Sequence, residues 1–151
     1  MPQSLSRIYL HIVFSTKDRQ PFLSDSQLRK SLHSFIAGTM KQLDCIPVEI
    51  GGVEDHVHIL CLLPRTKTVA EVVKETKRVS TNWLKEQSLT FQNFHWQGGY
   101  GVFSVSQSNV NAVVEYISNQ EEHHREVSFQ EEYRAFLRKH AVDFDEIYVW
   151  D

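Results

Sequence analysis

From Arg7 to Ser15 apolar positions alternate: Ile8, Leu10, Ile12 and Phe14 fall on one face, Tyr9, His11 and Val13 on the other. A period of two predicts a β-strand with one fully apolar face. Thr16 to Gln20 is a polar loop closed by Pro21. Ser24 or Asp25 can cap a helix running to about Leu43. Along it Leu28, Leu32, Phe35, Ile36, Thr39, Met40 and Leu43 recur at helical spacing. Alternation returns at Ile46, Val48 and Ile50, predicting a second strand over 45–53, with Gly51-Gly52 suited to a bend or bulge near its end. Glu54-Asp55 turns the chain into a third strand, His56 to Leu63, which Pro64 ends. The two strands read as a hairpin.

Thr68, with Glu71 three residues on, forms a capping box for a second helix. Its buried stripe is Val69, Val72, Val73, Thr76, Val79, Trp83 and Leu84. Residues 88–101 are irregular and rich in aromatics and amides, and Val102 to Val105 is a short fourth strand. Ser106 or Ser108 caps a third helix over about 109–124, and a fourth follows over about 128–140. The order is β-α-β-β-α-β, then two helices. Its first six elements match the ferredoxin-like split βαβ pattern: an α+β fold with a four-stranded antiparallel sheet and both helices on one face. The other face is expected to be free for a ligand or a second subunit. No repeat or linker divides residues 1–151, so one domain is expected.

Composition narrows the class. Apolar residues make up 41% and aromatics 11% of 151 positions, a globular balance. No stretch approaches the roughly 20 apolar residues of a membrane span, and no signal-peptide core opens the chain. Cys45 and Cys61 lack metal-type spacing, so a reduced cytoplasmic protein is expected. The net charge of −3 is unevenly spread. Residues 1–100 carry 12 Lys/Arg and 9 Asp/Glu, and residues 101–151 carry 4 and 10. A mildly basic body with an acidic tail can still bind a phosphate backbone, because the local field decides.

The candidate chemistry lies in Asp55-His56-Val57-His58-Ile59-Leu60. Positions i and i+2 of a strand share a face, so two imidazoles can hold one ion, or they are simply two polar residues on a half-exposed sheet. An almost wholly apolar strand near the sheet centre favours the pair having partners. Two imidazoles and an oxygen ligand suit a divalent ion with open positions. Tyr116 is the second candidate. Gln120 shares its helix face at i+4, and His123 and His124 lie two turns on. Val110, Val113, Val114 and Ile117 form a separate apolar set, so Tyr116 can point to the polar side. Near an ion it can serve as an oxygen nucleophile if a base takes its proton. Lys74, Lys77 and Arg78 form a basic stripe, either a solvated face or, with Lys17, Arg19, Arg65 and Lys67, a backbone-binding path. Phe94, Trp96 and Tyr100 either stack on unpaired bases or cover the fourth strand.

These residues carry a resemblance. His56-Val57-His58 is similar to the His-apolar-His signature of single-tyrosine HUH transposases, of the insertion-sequence 200/605 type and its REP-associated relatives. So are the first strand and basic loop (residues 11–19), the metal strand (52–60), Trp96-Gln97-Gly98-Gly99-Tyr100-Gly101 with the strand after it (to 106), and the helix segment 116–124. Residues 129–133 and the Tyr148-Val149-Trp150 ending also fit. The likeness runs through nearly the whole chain in order, with no pattern residue missing.

The resemblance implies a metal-dependent DNA transposase that nicks and rejoins single-stranded DNA bearing hairpin ends. Tyr116 would be the nucleophile, leaving a 5′-phosphotyrosine. His56 and His58, with Gln120 as third ligand, would bind Mg²⁺ or Mn²⁺. Lys17, Arg19, Lys74, Lys77, Arg78, Trp96 and Tyr100 would contact DNA. A homodimer is implied, in which the tyrosine helix of one subunit can serve the histidines of the other. Two alternatives stand beside it: a domesticated relative that processes chromosomal hairpin repeats, and a non-catalytic nucleic-acid-binding module of the same fold.

Overall fold

The alternating segments do form strands. The computed structural model describes residues 1–151 and contains β1 (Tyr9–Ser15), β2 (Ile46–Val53), β3 (His56–Leu62) and β4 (Gly101–Val105). They pair antiparallel in the order β2-β3-β1-β4, the split βαβ arrangement, with β3 and β1 central. Helices α1 (Ser26–Gln42) and α2 (Val69–Gln87) connect them as the order requires. Asp25 caps α1, its carboxylate accepting from the amides of Gln27 (2.9 Å) and Leu28 (3.2 Å). The capping box at Thr68 and Glu71 is present.

One face of the sheet presents Leu10, Ile12, Phe14, Val57, Ile59 and Cys61 to α1 and α2 and forms the main core. Phe14 lies edge-on to Trp96, with ring centroids 4.9 Å apart. Burying each of these side chains contributes about 1.5–3 kcal/mol.

The opposite face, expected from the sequence to be free, is not. It is covered by α3 (Val110–Ser118), the short α4 (Gln120–His123) and α5 (Phe129–Lys139). Ile117 and Val110 of α3 pack on Tyr9 and Leu60, while Phe129, Tyr133 and Leu137 of α5 pack on Val13 and Phe103. The acidic segment has enough apolar surface to close over the sheet, so the histidine face becomes interior.

Two glycines allow this closure. Gly51, His58, Val13 and Gly101 lie in one row across the four strands. A Cβ on Gly51 would strike the main-chain carbonyl of Ile117, and one on Gly101 would meet the Tyr133 ring 2.6 Å away. The helices therefore come close to the sheet on either side of the His58–Val13 pair. The bulge expected at Gly51-Gly52 instead falls between Pro47 and Glu49. Gly51→Ala is expected to destabilise the protein by about 1–3 kcal/mol, because a carbonyl cannot yield as a side chain can. A lowered urea midpoint checks it.

The expected continuous helix over 109–124 is broken. The hydroxyl of Ser118 donates back to the Val114 carbonyl at 2.6 Å, a bond that bends helices, and Asn119 leaves helical geometry. Neither Ser106 nor Ser108 caps α3. Their hydroxyls bond each other at 3.1 Å, and Asn109 occupies the cap position without a side-chain bond. After the break Gln120 turns inward and is 1% exposed.

Candidate metal centre and nucleophile

His56 and His58 are both fully buried on the inner face of β3, beneath α3, α4 and α5. His56 Nδ1 donates to Asp55 Oδ1 at 2.7 Å. His58 Nδ1 shares a 2.8 Å hydrogen bond with His11 Nε2 from the neighbouring strand β1. The Nε2 atoms of both rings then face inward. Burial favours neutral His56, but its bonds to Asp55 and Glu132 outweigh this and raise its pKa to about 9. Burial lowers that of His58. Burial, with the neighbouring His58, takes His11 down to about 3.

At the centre stands Glu132, delivered by α5. Its carboxylate lies 2.9 Å from His58 Nε2, 3.1 Å from His124 Nε2, 3.2 Å from His123 Nε2 and 3.4 Å from His56 Nε2. Burial disfavours the carboxylate, but bonds from His124, His56 and His58 hold its pKa far below the usual range. The Tyr116 hydroxyl donates to Glu132 Oε2 and lies 3.2 Å from His123 Nε2. Burial and the Glu132 charge push the phenol above its ordinary value, so it is held protonated. Gln120 Oε1 lies 3.2 Å from His56 Nε2, and its amide donates to the Tyr116 carbonyl at 3.2 Å. All four residues of the sequence-read site therefore meet, and they meet within one chain.

The donor chemistry fits a divalent ion. Ligand atoms of His56, His58, His124 and Glu132 all lie within 4.8 Å of one another. An open cavity lined by Ala112, Glu115, Tyr116, Asn119, Glu122, His123, Glu126 and Val127 leads to the tyrosine.

Sequence reasoning gave Glu132 no role, although a signal existed. Phe129, Tyr133, Phe136 and Leu137 form the apolar stripe of α5, and Glu132 falls on that stripe. A charge on a buried face needs partners. His11 carried a similar signal, as a polar residue on a central strand.

The basic and aromatic candidates divide. Lys17, Lys74 and Arg78 are exposed and Arg19 is partly so; Arg78 pairs with Glu75, and the Arg19 guanidinium lies 5.8 Å from the Trp150 ring centroid. Tyr100 is 38% exposed. Lys77 faces inward: its ammonium donates to the carbonyls of Gln97 and Gly99 at 2.7 Å each, bracing that loop, and burial takes its pKa down to about 8. Trp96 is also not open for stacking. It is buried, and Nε1 donates to Ser80 Oγ at 3.0 Å. Trp96→Ala is thus expected to cost about 3–5 kcal/mol of stability, read from the urea midpoint, with hairpin affinity of the folded protein unchanged.

The sequence profile of the family described as "Transposase IS200 like" matches residues 4–120. The chain belongs to this family. A candidate transposase from Deinococcus radiodurans R1 superposes on this transposase with a TM-score of 0.62 at 21% identity, over 80% of this chain and 95% of that one. A REP-associated tyrosine transposase, solved bound to a REP hairpin, gives 0.61 at 16% identity, over 84% of this chain and 76% of the other. Both likenesses are of fold. No curated protein matches. No helix of this transposase is long and apolar enough to cross a membrane.

Proposed function

We propose that this transposase nicks and rejoins single-stranded DNA at hairpin-bearing ends through a phosphotyrosine on Tyr116, with a divalent ion, Mg²⁺ or Mn²⁺, held by His56 and His58 beside Gln120. The observation that carries this reading is the convergence of a tyrosine hydroxyl and two inward-facing imidazoles on one buried carboxylate, Glu132. A bound ion would supply positive charge to a scissile phosphate and to the charge that builds on it.

The chain's own groups account for the rest. Tyr116 attacks phosphorus through its phenolic oxygen. Its proton passes to His123, whose Nε2 lies 3.2 Å from the hydroxyl oxygen. The bond from phosphorus to the 3′ oxygen breaks, and that oxygen leaves as a hydroxyl after taking a proton from water. The product is a 5′-phosphotyrosine, and a later 3′-hydroxyl reverses the step to join strands without ATP. Asp55 and His11 hold the two imidazoles by their Nδ1 atoms, a standard way to fix ring orientation.

Lys17, Arg19, Lys74 and Arg78 supply phosphate contacts and Tyr100 a stacking ring. Hairpin recognition is supported by the related transposase that was solved on a REP hairpin. Each chain forms one covalent end, so joining two ends calls for a homodimer. Tyr116 sits beside the histidines of its own chain, so completing a site does not require the partner's tyrosine.

The test is covalent capture. Labelled single-stranded hairpin DNA from the flanks of the gene is incubated with the protein and Mn²⁺ and run on a denaturing gel. A metal-dependent shifted adduct is expected. Absence of an adduct with every flanking hairpin contradicts the reading.

A further inference from the structure

Glu132 and His124 have no place in a site made of His56, His58 and Gln120, yet both sit at its centre. Asp55 Oδ1 and the Val127 carbonyl can only accept. The Nδ1 atoms that contact them therefore carry protons: His56 Nδ1 at 2.7 Å and His124 Nδ1 at 2.5 Å. The Nε2 atom of each ring is thereby turned toward the centre of the site. Those two Nε2 atoms face Glu132 at 3.4 and 3.1 Å, and His58 Nε2 faces it at 2.9 Å. Three imidazole nitrogens thus converge on one carboxylate that is 2% exposed, a donor set that suits a divalent cation. The three rings are packed closely, the His56 centroid lying 5.1 Å from that of His58 and 4.4 Å from that of His124. Ligand atoms of all four residues lie within 4.8 Å of one another, so one divalent ion reaches them together.

Gln120 is less suited to the oxygen-ligand place. Its neutral amide reaches His56 alone among the three rings, whereas Glu132 contacts all three.

We propose that Glu132 and His124 complete a four-ligand divalent-cation site with His56 and His58, the Glu132 carboxylate taking the place that the family resemblance gives to Gln120. The proposal rests on the metal-dependent reading above and extends it to α5. Both faces of the site are then tied together: β3 gives two ligands, and the segment from α4 to α5 gives the other two. The Tyr116 hydroxyl, bonded to Glu132, is held beside the ion through one of its ligands.

The experiment uses the full chain, free of DNA, with Mn²⁺ as the probe. Isothermal titration is expected to show one site in the unsubstituted protein. Glu132→Gln should weaken it by about 100-fold and His124→Ala by at least about tenfold, while Gln120→Ala stays within about threefold. Pulsed electron paramagnetic resonance of the bound Mn²⁺ reads the coordinating imidazole nitrogens directly. Three in the unsubstituted protein are expected, a result that needs no variant to fold. Two nitrogens there, or affinity retained within threefold in both Glu132→Gln and His124→Ala, overturns the proposal. If binding is nonetheless lost in His56→Ala and His58→Ala, the metal-dependent reading survives without it. An unsubstituted protein that binds no Mn²⁺ overturns both.

Discussion

Tyr116→Phe is expected to abolish covalent capture of hairpin DNA, a fall of at least about 10³-fold, with DNA affinity changed by no more than about twofold. Losing a nucleophile from a preorganised site acts on this scale, because the other groups then hold a substrate that nothing attacks. The substitution removes one oxygen and leaves the ring. That ring packs edge-on against His58, Phe136 and His123, with centroids 5.8, 5.6 and 5.2 Å away, so the phenyl group keeps its seat. Glu132 loses one donor but keeps its histidine neighbours, which limits the stability cost to about 1–3 kcal/mol. Gel capture and a hairpin-binding titration, run on one preparation, separate the two effects. Unchanged adduct formation would remove Tyr116 from the mechanism.

His56→Ala is the second large effect. Cleavage is expected to fall at least about 100-fold while hairpin binding persists. His56 is fully buried on a central strand and contacts Asp55, Gln120 and Glu132. Its loss opens a cavity beside Phe129 and His124, whose ring centroids lie 4.8 and 4.4 Å away. Partial collapse there costs about 2–4 kcal/mol, so assays belong well below the melting temperature. The exposed Lys17 and Lys74 are untouched, and phosphate contacts of that kind dominate affinity. A titration that shows binding without cleavage checks the split. A fully active variant would contradict metal binding by the pair.

How far the sequence discloses this molecule depends on the range of the interactions. The sheet was legible because β1 and β2 alternate and β3 is a short apolar run closed by Pro64, and the caps at Asp25 and Thr68 obey local hydrogen-bond rules. The meeting of His56, His58, Tyr116 and Gln120 followed from strand and helix periodicity joined to the family resemblance. The closure of α3 and α5 over the second face was not legible. It depends on Gly51 and Gly101 lying in one row with His58, and strand register is a long-range property. Glu132 stayed hidden for the same reason. Its partners come from β3, α3, α4 and the residue after α4, and only the fold brings them within reach of α5. Trp96 and Lys77 show the converse. Their residue types suit DNA, yet burial against Phe14 and the Gln97–Gly99 carbonyls commits them to the scaffold.

The central claim is that Tyr116 forms the covalent bond to DNA beside the paired histidines. Mass spectrometry of the captured adduct tests it most directly. Cleavage after glutamate releases the peptide Tyr116–Glu121, which contains a single tyrosine and separates it from Tyr100. The expected result is a nucleotide 5′-phosphate on Tyr116, formed only when Mn²⁺ or Mg²⁺ is present. A nucleotide on any other residue, or on Tyr116 without a divalent ion, would contradict it.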